Sequence, residues 1–246
     1  MLRRRRTLLG LVGALVLTMA AGAGAGPAAG TPETARYSVT LTNLTDSQPF
    51  SPLVAATHRK SIRMFELGNL ASDELAAIAQ NGDPGPMFSR FSGSKHVTQA
   101  VNVGRPLTRQ GTTLGSFTDS ATFEIEAASG DRFSLATMLI CTNDGFLGLD
   151  AVKLPKSGSA TYLLNGYDAG RENNSEVSED IVDPCSGLGP VALPGDPDGN
   201  VDTGSVLTSP AQPIAHHPGI SGTGELSATL HDWFYPVARV MIERVG

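Results

Sequence analysis

Strict alternation of apolar and polar residues near both ends of the chain does most to limit its fold. "RYSVTLTNLT" sets Tyr37, Val39 and Leu41 on one side and Ser38, Thr40 and Thr42 on the other. "YPVARVMIERV" sets Val240 and Ile242 against Arg239, Met241 and Glu243. A period of two is the signature of a strand with one buried face. "SATFEIEA" alternates through Phe123 and Ile125. "RFSLATMLICT" has Phe133, Leu135, Thr137 and Leu139 on one face and a nearly apolar opposite face, the pattern of a central strand, and "ATYLLNGYD" follows. Gly 28 and Pro 16 are abundant enough for many short strands joined by turns. The expected fold is all-β, an antiparallel β-sandwich.

One helix interrupts the pattern. In "ASDELAAIAQNGD", Ser72 can cap the N-terminus, Asp73 and Glu74 suit the first turn, and Asn81-Gly82 stops it. It is a short insert, about Ser72–Gln80, on a β framework.

The N-terminal segment stands apart. Arg3 to Arg6 precede an apolar run from Leu8 to about Ala21, and small residues lead to Ala25. That is the pattern of a signal peptide over residues 1–25, followed by a short linker over 26–35 and a domain over 36–246. No later stretch is long and apolar enough to span a bilayer. The expected location is extracellular or periplasmic. Without residues 1–25 the chain keeps 14 basic and 24 acidic residues, a net charge of −10. Such a balance argues against nucleic acid and suits divalent cations. In an oxidising compartment the two cysteines, Cys141 and Cys185, predict one disulfide.

Motifs for nucleophilic catalysis are missing. "GISGTG" puts Thr223 where a nucleophile elbow needs glycine, and the five histidines form no H-E-x-x-H pattern. Each histidine reads as a solvated or loop residue. Two acidic loops remain. "GDPDGNVDTG" spaces Asp196, Asp198, Asn200 and Asp202 like the start of a calcium loop, but Leu207 stands where the closing acid belongs, which favours a solvated loop. The second set joins "CTNDGFLGLDAV", with Asp144, to "LNGYDAGRENNSE", with Asp168 and Glu172. Its residues suit either a solvated turn or a cation site.

These segments resemble the spondin domain family, the N-terminal module of the F-spondins. "YSVTLTNLTDSQPFSP" is similar to the family's opening strand and Q-P-F-S-P turn, and "MFELGNLAS" to its L-F-x-x-G-x-x-A-S stretch. "NDGFLGLDAVKLP" resembles P-D-W-x-V-G-L-D, and "YDAGRENNSE" resembles D-A-G-T-[DE]. "HHPGISGTGEL" and "HDWFYPVARVMIERV" resemble the closing segments. The resemblance implies a C2-like sandwich with a Ca2+ ion in loops at one end, and aspartate ligands that fall on Asp144, Asp168 and Glu172. Three positions depart from the pattern. Phe146 stands one place later than the family tryptophan, Arg171 replaces threonine, and Glu172 replaces aspartate. Arg171 leaves two arrangements open, a guanidinium turned away from the carboxylates or one in the cation's place. The function implied is a non-enzymatic module for extracellular interaction or adhesion, with an extracellular protein or glycan as partner. The alternatives are an exported hydrolase using His217 or His231 with Asp232, and a metal-free, disulfide-closed module.

Overall fold

The computed structural model describes residues 34–108, 117–191 and 207–246. The expected signal peptide, most of the linker and the "GDPDGNVDTG" loop lie outside the described residues. In chain order the strands are β1 (Thr34–Asn43), β2 (Leu53–His58), β3 (Val97–Val103), β4 (Ser120–Ala128), β5 (Arg132–Met138), β6 (Gly145–Lys153), β7 (Ser159–Leu164), β8 (Gly166–Asp168), β9 (Ala215–His216) and β10 (Ala238–Arg244). Among the described residues four α-helices join them, α1 (Asp73–Asn81), α2 (Gly85–Ser92), α3 (Pro184–Leu188) and α4 (Ala228–His231), with a short 3-10 turn at Ser178–Asp180. β1 begins at Thr34, so residues 34 and 35 belong to the first strand and not to the linker.

The strands form two antiparallel sheets, β4-β1-β10-β7 and β3-β2-β5-β6-β8-β9. This is the expected sandwich. β1 and β10, far apart in sequence, are neighbours, with Val39 opposite Ile242 and Leu41 opposite Val240. Their alternation is the burial pattern itself: Val39, Leu41, Val240 and Ile242 are fully buried, whereas Arg239, Met241 and Glu243 are exposed. Those inward residues meet Phe133, Leu135 and Leu147 of the second sheet in the main core.

The larger sheet is covered on its other face as well. Val54, Ala56, Ala136 and Phe146 pack outward against Leu75 and Ile78 of α1 and Met87 and Phe91 of α2. Burial on both faces removes the alternation, because no position then favours a polar residue. This is why β2, "LVAATH", buried at every position, carries no period-two signal, and why β5 is buried at every position after Arg132. α1 matches its expected span: Ser72 Oγ accepts from the Leu75 amide, and Gly82 closes the helix in the left-handed region at φ 64°. α2 was not expected from the sequence. Only Met87 and Phe91 of it are buried, and a Pro84 start without a side-chain cap gives little local signal.

The third apolar cluster surrounds the Cys141–Cys185 disulfide, with Cα atoms 5.0 Å apart. It ties the turn after β5 to α3, and Ile220, Leu226 and Trp233 pack around it. Among the described residues no helix is long and apolar enough to cross a membrane.

Candidate metal centre

The two segments that hold the expected ligands meet at one end of the larger sheet. β6 and β8 pair antiparallel with Gly145 opposite Asp168, which sets Asp144 and Asp168 at the same sheet end. The Ala169 amide then donates to the Asp144 carbonyl (3.1 Å). The turn that follows needs glycine. Gly170 has φ 68°, and any Cβ there would strike the carbonyl oxygen of Gln212. Its amide donates to Asp168 Oδ1 (2.7 Å).

Asp144 is fully buried. Its Oδ2 accepts from the amides of Arg171 (2.6 Å) and Glu172 (3.0 Å). Its Oδ1 is shut off from solvent and has no hydrogen-bond partner. Burial, with the charge of Asp168 added to it, pushes the Asp144 carboxyl up to about 7, against the two amides that favour its charged form. An anion held in that state is an electrostatic debt that a cation can cancel.

Asp168 is half-buried, and its Oδ2 accepts from Asn174 Nδ2 (2.8 Å). The carbonyl oxygen of the Asn174 amide is itself buried without a partner. His217 Nε2 is in the same condition, while its Nδ1 accepts from the Gly219 amide (3.0 Å). Burial lowers the His217 pKa, with Asp168 first among the acids that oppose the shift. Asn174 and His217 therefore join the polar surroundings of the two aspartates. A lone asparagine in a polar loop and a histidine in the "HHPG" turn offer no spacing signal that would have marked them.

Glu172 is placed differently. Its amide serves Asp144, but its buried carboxylate accepts from Gln80 Nε2 of α1 (2.7 Å). Asp144, Asp168 and Glu172 thus share one loop end, yet their ligand oxygens do not all fall within 4.8 Å of one another. Among the described residues the set that does is Cys141, Cys185 and His231, whose sulfurs are already bonded to each other. Arg171 is settled by geometry. Its guanidinium reaches Asp73 on the first turn of α1 (2.6 Å) and the Ala71 carbonyl (3.4 Å), so it points away from Asp144 and Asp168.

The donor set fits a hard cation at Asp144 and Asp168: oxygen atoms, facing negative charge, one orphaned carboxylate oxygen, and the Arg171 guanidinium held at Asp73.

One acid that sequence reasoning passed over anchors the neighbouring loop. The Glu176 carboxylate accepts from the amides of Ser221 (2.6 Å), Gly222 (2.7 Å) and Thr223 (2.9 Å) and from Ser221 Oγ (2.8 Å). Burial pushes its pKa up, but these four donors outweigh that and hold it below the ordinary glutamate value. The "GISGTG" loop is thus a wrapping for a carboxylate.

His58 and His231 depart from the solvated expectation, whereas His96 and His216 are exposed as expected. His58 is fully buried between Ser134 Oγ and the Phe91 ring, and His231 is buried against the disulfide cluster. His231 Nδ1 accepts from the Ser227 amide (3.0 Å), and Asp232 Oδ1 accepts from the Ile220 amide (3.0 Å). His216 is exposed and stacks on Tyr167, whereas its neighbour His217 packs on Trp233.

The search of curated proteins finds no match to this chain. The family model described as Spondin_N matches residues 40–180, more than half of the chain and the whole stretch from β1 through the Asp144–Asp168 loop end. Together with the two-sheet fold, this match shows that the chain belongs to the spondin N-terminal domain family.

Proposed function

We propose that the protein is an exported, non-enzymatic interaction module whose loop end takes up Ca2+ through Asp144, Asp168 and Glu172. Membership of the spondin family and the Cys141–Cys185 disulfide fit an extracellular, secreted protein. The observation that carries the cation reading is Asp144: a fully buried carboxylate with one unpartnered oxygen, raised in pKa by burial and by Asp168, with the nearest guanidinium turned toward Asp73. When bound, the ion supplies the positive charge that this end of the molecule lacks. Asp144 and Asp168 are the primary holders, and Glu172, whose carboxylate accepts from Gln80, joins them by turning toward the ion. A loop end fixed in this way is a natural contact surface for an extracellular protein or glycan.

The test is thermal unfolding with saturating Ca2+ and with chelator. A ligand at a hundred times its Kd adds about 2.7 kcal/mol, which for a domain of this size raises Tm by roughly 5–10 °C. Asp168→Asn is expected to abolish that rise. An unchanged melting curve in calcium and in chelator overturns the cation reading and leaves the metal-free, disulfide-closed module. A screen of ester and glycoside substrates is expected to be silent; turnover that disappears in His217→Ala would replace the module with a hydrolase.

A further inference from the structure

The opposite end of the sandwich carries the opposite charge. β6 starts beside Asp144 and ends at Lys153, so at about 3.3 Å per residue the two ends lie roughly 30 Å apart. At the Lys153 end the sheets part into an open cleft of about 400 Å3. Arg132, Lys153, Lys156 and Arg244 line it, in a chain whose formal net charge is −6. Arg132 and Lys153 are cross-strand partners on β5 and β6, so the sheet register brings their cations to one edge. Among the described residues no acid pairs with Arg132, Lys153 or Lys156. The guanidinium of Arg244 donates to the Lys156 carbonyl (2.9 Å), which fixes it at the rim.

The lining contains a single acid, Asp131, and its carboxylate is turned inward. Its side chain is fully buried, Oδ2 accepts from the Ala128 amide (2.9 Å) and the Thr98 hydroxyl, and Oδ1 lies 3.9 Å from Arg59. Four cations face one buried carboxylate, itself 3.9 Å from Arg59, so the lining is net positive. Between the cations part of the wall is apolar, with Ala35, Leu154 and Pro155 partly buried there, and Thr34 and Ser129 add hydroxyls.

We propose that this cleft binds a saccharide carrying phosphate or sulfate esters. Its volume falls in the range of small-molecule sites. Arginine offers a planar fork to an oxyanion and lysine a point charge, and several such groups around one concavity select a ligand with more than one anionic group. The apolar walls supply contact for a sugar ring. A bilayer presents anionic groups on a plane, and a plane does not enter a gap between two sheets; an ester on a free saccharide does.

The test titrates the full chain, calorimetrically and at two salt concentrations, with a sulfated oligosaccharide, a hexose phosphate, inorganic phosphate and phosphatidylserine vesicles. One or both esters are expected to bind, more weakly at high salt, and whichever binds identifies the ester. Lys153→Glu with Lys156→Glu is expected to weaken binding by about tenfold to a hundredfold, while Lys60→Glu with Lys95→Glu leaves it unchanged. Lys156 lies outside any strand, so Lys156→Glu alone repeats the test if the pair disturbs folding. Binding of neither ester, equal affinity in the charge-reversed variant, inorganic phosphate binding as tightly as the esters, or response to vesicles alone would each overturn the proposal.

Discussion

At the scale of single residues, the loop end is governed by where each polar atom finds its partner. Arg171 looked like a rival for the cation because sequence places it between Asp168 and Glu172. The turn at Gly170 sends its side chain to Asp73 instead and leaves only its amide on Asp144. Gly170→Ala is expected to destabilise the fold by several kcal/mol, since it combines an unfavourable φ with a collision against backbone; chemical denaturation measures it. Glu176 sets a pH dependence. Its folded pKa lies below its unfolded value, so the folded state binds fewer protons across that window. Its stabilisation is present above the unfolded value near 4.5 and is lost as pH falls through the folded one. Glu176→Gln is expected to cost about 1.5–3 kcal/mol at neutral pH and to flatten the acid limb of the stability curve. A variant with the wild-type acid limb would show that the four donors contribute nothing through the charge.

At the scale of elements, the local patterns that survived are those with a single solvent boundary. β1, β4 and β10 face the core on one side and water on the other, and their alternation is plain in "RYSVTLTNLT", "SATFEIEA" and "YPVARVMIERV". α1 was legible through its cap, its acidic first turn and its terminal glycine. β2, β3 and α2 were not. β2 is buried on both faces, β3 is half-exposed along most of its length, and α2 owes its place to two anchors, Met87 and Phe91, packed on the outer face of β2. Phe91→Ala is expected to cost about 3–5 kcal/mol, because it empties a site enclosed by sheet and helix; an effect under about 1 kcal/mol would mean that α2 is peripheral to the fold.

At the scale of the molecule, the sandwich separates its charges, carboxylates at one end of β6 and unpaired cations at the other. The disulfide stands beside the acidic end and closes a separation of 44 residues that contains Asp144, Asp168 and Glu172. Reduction is expected to remove about 4 kcal/mol of stability, mainly through the freed unfolded chain, and to weaken the calcium-induced rise in Tm. A calcium response that survives reduction unchanged would separate the bridge from the site. The fold class, the first helix and the pairing of Cys141 with Cys185 followed from the residues alone, and the resemblance to spondin domains implied the neighbourhood of Asp144 and Asp168. Periodicity, capping and residue chemistry are local quantities, and two cysteines in an oxidising compartment have one partner each. Tertiary structure alone decided that Arg171 faces α1, that Glu172 holds Gln80, that Asn174 and His217 border the two aspartates, and that four cations from three strands and a loop share one cleft. Each of those outcomes depends on strand register and on contacts between segments scores of residues apart, and no local pattern encodes them.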